Sequence, residues 1–354
     1  MATPGRPLRL RGGATLERAH LAYETFGDPN AESVVLVCHA LTGDAHVTRW
    51  GSEAPDGAPK GWWEALVGPG RAVDPAAHFV ICSNVLGGCS GSTGPTSVDP
   101  ATGAPYGPTF PSVAIEDMVE AQSRLLEALG VVRPITVLGG SIGGFQALEW
   151  ALRFPGRVRG AGVLASGARL SAFGIAFNEI GRGAVRADGR YRDGYYPADD
   201  PPTDGLAAAR GLAHLTYRSA EAFERRFGRQ RRADSGGFEV ESYLAHKGAG
   251  FVRRFDANTY LGLTRAMDAY DASADEPLDE RLRGYGGRLL AVGFGADWLF
   301  PSEQSAELVE AARSAGVAAR FEHVETAEGH DAFLMPSSRL DAAVRGLLES
   351  EGAR

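Results

Sequence analysis

The chain has 354 residues, of which 44% are hydrophobic and 23% are charged, and its net charge is −8. These values are typical of a globular enzyme with one large domain, or one domain that carries an insertion. The negative charge argues against a general nucleic-acid binder, and no apolar run approaches the roughly 18 residues of a membrane span. The N-terminus lacks a signal-peptide pattern, so we expect a cytoplasmic protein.

Short β-like runs alternate with helical stretches along most of the chain. The β-like runs are 34–38, 79–82, 135–138, 158–164, 289–293 and 321–324. The helix-period stretches are 115–129, 141–153, 302–315 and 331–348. Continuous apolar strands that alternate with helices are typical of a mostly parallel sheet covered on both faces, which is the α/β class.

Two stretches depart from this alternation. Residues 8–10 and 21–24 are β-like and precede the first long strand, so we expect them to pair as an antiparallel hairpin. Between about residues 170 and 280 the chain is helix-rich and more polar, and the strand pattern then resumes. We therefore predict a core domain formed by residues 1–169 and 281–354, with a helical lid inserted at 170–280.

Ser141 stands where an apolar β-like run changes abruptly into a helical one. It is the centre of the pattern Gly-x-Ser-x-Gly at 139–143, the nucleophile elbow in which a sharp strand-to-helix turn exposes a hydroxyl. Gly139 and Gly143 lack the Cβ atoms that would clash in so tight a turn. The pattern predicts an acid and then a histidine later in the chain, and both are found.

A serine nucleophile needs a general base, which is usually a histidine oriented by a buried carboxylate. His330 follows the last predicted strand and opens the last helix, where an elbow serine would point. Asp297 follows the strand at 289–293 and precedes Pro301, so it is placed to reach His330. Alternatively, Asp297 only caps the next helix. The order serine, acid, histidine favours a catalytic triad.

The oxyanion hole of such a site needs two backbone N–H donors. Ile142, directly after the nucleophile, supplies one. The second is expected from the loop after the first long strand, with Leu41 as the donor.

His39 in this loop could be a metal ligand, but no second ligand keeps a suitable spacing with it, and we favour a role in bracing the loop. The three cysteines, Cys38, Cys82 and Cys89, also show no metal-ligand spacing. We therefore expect no metal site.

A basic run at 225–232 contrasts with the negative charge of the whole chain. Only Lys60 and Lys247 are lysines, so nearly all positive charge comes from arginine. The run is interpreted either as a solvated helix end in an arginine-biased protein, or as a patch that meets the phosphates of an anionic cofactor such as coenzyme A. The sequence leaves both interpretations open.

Several separated blocks together resemble one known family. They are CHALTGDAH at 38–46, NVLGGCSGSTGP at 84–95, PYG at 105–107, GGSIGGFQALEW at 139–150, FNEIGR at 177–182, GLAAAR at 205–210, HLTY at 214–217, FDAN at 255–258, Tyr260, DWLFP at 297–301 and GHDAFL at 329–334. The combination is similar to homoserine O-acetyltransferases, α/β-hydrolase-fold enzymes of methionine biosynthesis. Ile142 and Phe145 stand where that family usually has methionines, and Ser90 where it often has a basic residue.

The resemblance implies a ping-pong reaction. Ser141 would accept the acetyl group from acetyl-coenzyme A as co-substrate, with no permanently bound cofactor, and pass it to the hydroxyl of L-homoserine. The resemblance also implies that Arg210 pairs with the homoserine carboxylate and that Asp331 meets its ammonium group. Further pocket residues are implied as well, namely Tyr217, Asn178 and Arg182. The resemblance also implies a homodimer formed through the helical insertion.

Other functions fit the same triad. Family members that use succinyl-coenzyme A or L-serine are close alternatives, and the sequence does not fix the donor. A plain esterase, in which water takes the acyl group, belongs to a different class. A non-catalytic binding protein of this fold is disfavoured by the intact triad. A paired acid and arginine in the pocket, here Asp331 and Arg210, would distinguish a transferase, because an esterase need not hold both ends of an amino acid.

Overall fold

A computed structural model of the chain describes residues 6–49, 60–233 and 236–349. The strands in chain order are β1 (Leu8–Arg9), β2 (Thr15–Leu16), β3 (Tyr23–Phe26), β4 (Ser33–Cys38), β5 (His78–Ser83), β6 (Ile135–Gly140), β7 (Val158–Leu164), β8 (Arg288–Phe294) and β9 (Ala318–Val324). Seven of them form one sheet in the order β3-β5-β4-β6-β7-β8-β9. Only β3 runs antiparallel to its neighbour, so the predicted mostly parallel α/β sheet is confirmed.

Ten α-helices accompany the strands in the described ranges. They are α1 (Ile115–Ala128), α2 (Ile142–Arg153), α3 (Ala172–Ala187), α4 (Thr203–Tyr217), α5 (Ala220–Phe227), α6 (Glu239–Phe251), α7 (Ala257–Ala269), α8 (Leu278–Leu282), α9 (Ser302–Ser314) and α10 (Ser338–Glu349). Short 3₁₀ turns lie at Gly107–Thr109, Arg192–Gly194 and His330–Leu334. In the part of the chain that is described, no helix combines the length and the apolar character needed to cross a bilayer.

The sheet separates two apolar layers because successive side chains of a strand point to opposite faces. On β4, Val34 and Leu36 pack with α1, α2 and α9, whereas Val35 and Val37 pack with α10 and the loop residues around Trp63. Both faces of the central strands are buried, as their continuous apolar runs predicted. Because six of these strands run parallel, their carboxyl ends meet at one edge of the sheet, where ligands bind in open α/β sheets.

Two expectations about local structure are wrong. The first β-like run pairs not with residues 21–24 but with β2, through a tight turn in which Gly13 adopts a φ of 89°. Residues 23–26 instead form β3 at the edge of the main sheet. The last helical stretch is also divided: a 3₁₀ turn ends at Leu334, and α10 begins at Ser338, because Pro336 disfavours helical backbone in the residue before it.

The helices α3 to α8 all lie between β7 and β8 in the chain, and no strand of the seven-stranded sheet lies between them in the described residues. α3 packs against α4 and α7, and α4 packs against α6. Ser171 and Ser219 cap the N-termini of α3 and α5 by accepting backbone N–H bonds from Gly174 and Ala222. This helical segment coincides with the predicted lid at 170–280, and we keep the lid as its interpretation.

Trp63 connects the apolar layer that contains Val35, Val37 and α10 to the segment that carries His330. Its side chain is fully buried, packs edge-on against Phe333 at 6.0 Å, and donates an indole N–H to the Phe333 carbonyl at 2.9 Å.

We predict that Trp63→Ala lowers the free energy of unfolding by about 3–5 kcal/mol, because it leaves a large cavity and an unpaired carbonyl. Urea titration measures this loss. The control Val132→Ala removes an exposed side chain and should change stability by less than about 0.5 kcal/mol; an equal effect of both substitutions would contradict the assignment.

Candidate active site

The backbone of the elbow is strained around Ser141, which has φ 58° and ψ −126° between β6 and α2. A Cβ on Gly139 would lie 2.0 Å from the carbonyl oxygen of Gly143, and one on Gly143 would lie 2.2 Å from that of Cys38. Glycine is therefore required at both positions of the motif. The Ser141 amide donates to the Leu164 carbonyl at 3.0 Å, which ties the turn to β7. Local strain of this kind is typical of functional sites.

The structure brings Asp297 and His330 together in a buried hydrogen bond. His330 Nδ1 lies 2.8 Å from Asp297 Oδ2, and both residues are at most 5% exposed. The other carboxylate oxygen of Asp297 accepts the backbone N–H groups of Leu299 and Phe300, at 3.0 and 2.9 Å. Those bonds close a turn before α9, so Asp297 orients His330 and does not serve merely as a helix cap.

The environment of His330 sets its protonation. Burial opposes a charge on the imidazole, but the Asp297 carboxylate outweighs burial and holds the pKa of His330 above its ordinary value. The ring is stacked on Phe300 at 5.5 Å and lies 6.0 Å from Tyr217. With Nδ1 engaged by Asp297, Nε2 is the nitrogen left to exchange a proton with a nucleophile.

A small cavity of about 30 Å³ adjoins Ser141. It is lined by Leu41, Ser141, Phe177, Asn178, Leu212, Ala213, Thr216, Tyr217, Tyr260, Met267 and Leu299. Leu41 thus lies on the same cavity as the nucleophile, and Ile142 is the first residue of α2, where its N–H belongs to a helix N-terminus. Five of the eleven lining residues carry a polar side chain, Ser141 among them, and none of the eleven is charged, so neither Arg210 nor Asp331 lines this cavity.

His39 is fixed as a neutral ring beneath the loop that carries Leu41. Its Nε2 accepts the backbone N–H of Val85 at 3.0 Å, and its Nδ1 donates to the Ala40 carbonyl at 2.7 Å. Burial lowers the pKa of His39, which agrees with a ring that accepts at one nitrogen and donates at the other. Both nitrogens are used, so His39 acts as the predicted brace of this loop.

Arg210 extends from α4 toward the same loop. Its guanidinium carbon lies 5.5 Å from the ring of Tyr217 and 4.9 Å from that of Phe251, and Nη1 donates to Thr42 Oγ1 at 3.3 Å. Within the described part of the chain, no carboxylate oxygen lies within 4.0 Å of a guanidinium nitrogen of Arg210, so Arg210 forms no ion pair there. Its charge is held in place by aromatic faces and is free to meet an anion.

Asp331 follows His330 in the 3₁₀ turn. Its Oδ2 lies 4.0 Å from Nε of Arg218, which is too far for a hydrogen bond, and Arg218 donates instead to Glu328 at 3.1 Å. Burial raises the pKa of Asp331, against the opposing charges of His330 and Arg218. The Asp331 carboxylate therefore has room for another cationic partner.

The other expected pocket residues differ in position. Tyr217 and Asn178 line the cavity, and Asn178 donates to Asp268 at 2.7 Å. Arg182 does not line it: the residue is 5% exposed, and its guanidinium lies 2.6 Å from Asp268 and 3.0 Å from Glu179. Arg182 thus supports Asp268, which in turn holds Asn178. This supporting position could not be read from the motif, because it depends on packing between α3 and α7.

Sequence reasoning missed Arg218 as the cation beside Asp331, and Phe177 as part of the cavity wall. Phe177 belongs to the block FNEIGR at 177–182, so the sequence carried a usable signal for its place in the cavity wall. Arg218 had none, because its approach to Asp331 and Glu328 joins residues more than 100 positions apart. The basic run at 225–232 separates in space: Arg225 pairs with Glu328, whereas Arg226 lies 4.8 Å from the ring of Tyr243.

Known proteins resemble this chain over almost its full length. A family model for the alpha/beta hydrolase fold matches residues 33–335. A homoserine O-acetyltransferase of Caulobacter vibrioides is 48% identical, over 97% of this chain and 92% of its own length. Among solved structures, esterase E22 superposes with a TM-score of 0.89 at 25% identity, covering 98% of both chains. A homoserine O-acetyltransferase from Staphylococcus aureus gives 0.78 at 28% identity, covering 100% of this chain and 95% of the other.

We predict that Asp297→Asn lowers turnover by about 10⁴-fold, because the imidazole loses the carboxylate that orients it and stabilises its charged form. Asp297 raises the pKa of His330 while burial lowers it, so without the carboxylate the pKa falls. The acid limb of the kcat/KM profile should then move to lower pH, as measured by the pH dependence of initial rates. The control Asp275→Asn, at an exposed site, should keep the original limb. An unshifted limb in Asp297→Asn would contradict the assignment of that limb to His330.

Proposed function

The chain belongs to the homoserine O-acetyltransferase family within the α/β-hydrolase fold, and we propose that it transfers an acetyl group from acetyl-coenzyme A to the hydroxyl of L-homoserine through an acyl-Ser141 intermediate. The observation that carries this proposal is the buried Asp297–His330 pair, in a chain that also carries the Ser141 elbow and is 48% identical to such an enzyme over 97% of its length. An acyltransferase needs these groups for nucleophilic catalysis.

In the first half-reaction, His330 accepts the proton of the Ser141 hydroxyl as its oxygen attacks the thioester carbonyl. The carbonyl oxygen becomes an oxyanion, for which the backbone N–H groups of Leu41 and Ile142 are the proposed donors. The tetrahedral intermediate collapses, the carbon–sulfur bond breaks, and His330 gives its proton to the departing thiolate. An acetyl ester on Ser141 and free thiol result.

In the second half-reaction, the homoserine hydroxyl takes the place that the thiol has left. His330 accepts its proton while the hydroxyl oxygen attacks the ester carbonyl. The second tetrahedral intermediate expels Ser141, which regains a proton from His330. O-Acetylhomoserine leaves and the free enzyme returns, so the two substrates never need to be bound together.

Two charged groups are proposed to orient the acceptor. Arg210 has no carboxylate partner in the described residues and presents a planar guanidinium, which suits a bidentate bond to the homoserine carboxylate. Asp331 adjoins His330 and lies beyond hydrogen-bond distance of Arg218, so it can accept the ammonium group. Holding both ends would fix the hydroxyl near the ester carbonyl, which raises the rate through proximity.

The small cavity supports acetyl as the transferred group. Its volume of about 30 Å³ leaves room for only a small group, and its lining carries no cation. A succinyl group would place a carboxylate in this space, which is costly without a positive partner.

A plain esterase is the second candidate, since esterase E22 shares the fold closely. Water as acceptor would leave Arg210 and Asp331 without a role. Ser141 and His330 are at most 5% exposed, which limits the access of water to the acyl enzyme. These observations favour transfer to an amino acid over hydrolysis.

A homodimer formed through the helical lid is a further part of the proposal. The lid exposes large apolar side chains, among them Phe173, Ile180 and Leu215 at 52%, 60% and 40%. Apolar groups concentrated on one segment are typical of an interface. A cytoplasmic location stays a prediction from the sequence.

The proposed function is tested by thiol release from acetyl-coenzyme A and from succinyl-coenzyme A, each with homoserine, with serine and with no amino acid. We expect sustained release only with acetyl-coenzyme A and homoserine, and a rate at least about tenfold lower for every other pair, because the cavity excludes a charged acyl group. Sustained release from acetyl-coenzyme A alone would favour the esterase. A preference for succinyl-coenzyme A would contradict the argument from the cavity.

Arg210→Lys tests the carboxylate clamp. Lysine keeps the charge but loses the planar pair of donors, so we expect the KM for homoserine to rise about tenfold or more, with a much smaller change for acetyl-coenzyme A. Steady-state kinetics with each substrate varied in turn give both constants. Arg265→Lys, at an exposed arginine of α7, is the matched control and should leave both unchanged. An equal rise in both constants for Arg210→Lys would refute the clamp.

A further inference from the structure

Three cationic side chains belong neither to the proposed catalytic residues nor to those proposed to bind the amino acid. Arg226 and Lys247 flank one aromatic ring: the guanidinium carbon of Arg226 is 4.8 Å, and Nζ of Lys247 is 5.6 Å, from the ring centre of Tyr243. Arg254 lies 5.5 Å from the ring of Phe251, and its Nη1 donates to the Thr42 carbonyl at 2.8 Å. We call Arg226, Lys247 and Arg254 the outer cations.

The outer cations are joined to the catalytic histidine by a row of rings. Tyr217 lies 6.0 Å from His330, His214 lies 5.9 Å from Tyr217, and Tyr243 lies 5.6 Å from His214. Phe251 connects the other side, because Arg210 and Arg254 both lie over its ring, at 4.9 and 5.5 Å. The outer cations therefore lie a few side chains beyond the reacting atoms, on α5, α6 and the residues that follow α6.

The outer cations have no direct carboxylate partner among the described residues. In residues 6–49, 60–233 and 236–349, none of the three lies within 4.0 Å of an acidic side chain, whereas the neighbouring Arg218 and Arg225 both pair with Glu328. Burial and the charges of Arg210 and Arg226 lower the pKa of Lys247, which the charge of Asp331 only partly offsets. Burial and Arg210 lower the pKa of Arg254, which Asp44 only partly offsets. Lys247 is thus repelled by Arg226 and Arg210, and Arg254 by Arg210, and a bound anion would relieve that repulsion.

A buried neutral group adjoins this cluster. His214 is 4% exposed, its Nδ1 lies 3.3 Å from the Tyr243 hydroxyl, and its Nε2 has no partner among the described residues. Burial and the nearby charges of Arg210 and Lys247 hold the pKa of His214 at about 3, so the ring stays neutral. An unpaired buried nitrogen among cations is a position at which a polar ligand atom would be stabilised.

We propose that the outer cations Arg226, Lys247 and Arg254 bind the phosphate groups of the acyl donor's nucleotide. This inference rests on the proposed function, in which the donor is a coenzyme A thioester. That donor carries its phosphates at the end remote from the thioester, joined by a long flexible arm, so phosphates are expected at the far end of that arm, outside the site of acyl transfer. Arginine binds phosphate through paired N–H groups and lysine as a point charge.

The test compares acetyl-coenzyme A with acetyl-pantetheine, a donor that keeps the thioester and the arm but has no phosphates. The double variant Arg226→Gln/Lys247→Gln and the single variant Arg254→Gln remove the charges with little change of size. The matched control is Arg229→Gln, an exposed arginine of the same basic run that lies over Phe238 instead. Homoserine is held at saturation, and kcat/KM is measured for each donor.

For the wild type we expect kcat/KM to be far higher with acetyl-coenzyme A than with acetyl-pantetheine. The ratio of the two should fall by on the order of tenfold or more in each outer-cation variant, as expected when charge-assisted bonds to phosphate are lost. Added salt should reduce the acetyl-coenzyme A rate of the wild type and affect the acetyl-pantetheine rate much less. Arg229→Gln should keep the wild-type ratio. Adenosine 3′,5′-bisphosphate should inhibit the wild type more strongly than the variants.

The outcomes separate this site from the proposed function. A wild type that uses both donors equally well overturns the phosphate site alone. Variants that lose both donors in equal proportion show a structural effect and also overturn it, as does an unchanged ratio. A wild type that releases no thiol from either donor in the presence of homoserine overturns the proposed function, and the phosphate site with it.

Discussion

The hydrogen bond between Asp297 and His330 is the interaction on which the rest of the site depends. Both side chains are almost completely buried, and a buried carboxylate is tolerated only when its oxygens are bonded. One oxygen of Asp297 accepts two backbone N–H groups of the turn before α9, and the other meets His330. The pair therefore joins the loops after β8 and β9, and Tyr217, whose ring lies 6.0 Å from that of His330, lines the cavity that adjoins Ser141.

Around this pair, uncharged and cationic side chains occupy different zones. The cavity beside Ser141 is small and carries no charged side chain, whereas Arg210 on α4 and the outer cations do not line it. Tyr217 lies between the two zones, against both His330 and Arg210. An uncharged inner space with cations outside its lining suits an acyl group that enters on an anionic carrier, and an acceptor with charges at both ends.

The sequence predicted the parallel sheet and the sharp turn at Ser141 because their signals are local. Continuous apolar runs marked the strands, and glycines at 139 and 143 marked a turn that no larger residue can make. The predictions that were wrong concerned partners and breaks: β1 pairs with β2 across a tight turn, and Pro336 separates a 3₁₀ turn from α10. The approach of Arg218 to Asp331 joins distant segments, and a single sequence carries no pattern for such contacts.

The central claim is that Ser141 carries the acyl group between two half-reactions. The most direct measurement mixes the enzyme with acetyl-coenzyme A alone and follows thiol release on a fast timescale, with mass spectrometry of the quenched protein. We predict a burst of one thiol per active site, an acetyl group on the peptide that contains Ser141, and loss of that group when homoserine is added. Ser141→Ala should show neither burst nor acetyl group. A protein that turns over with homoserine but forms no acetyl-Ser141 would contradict the account.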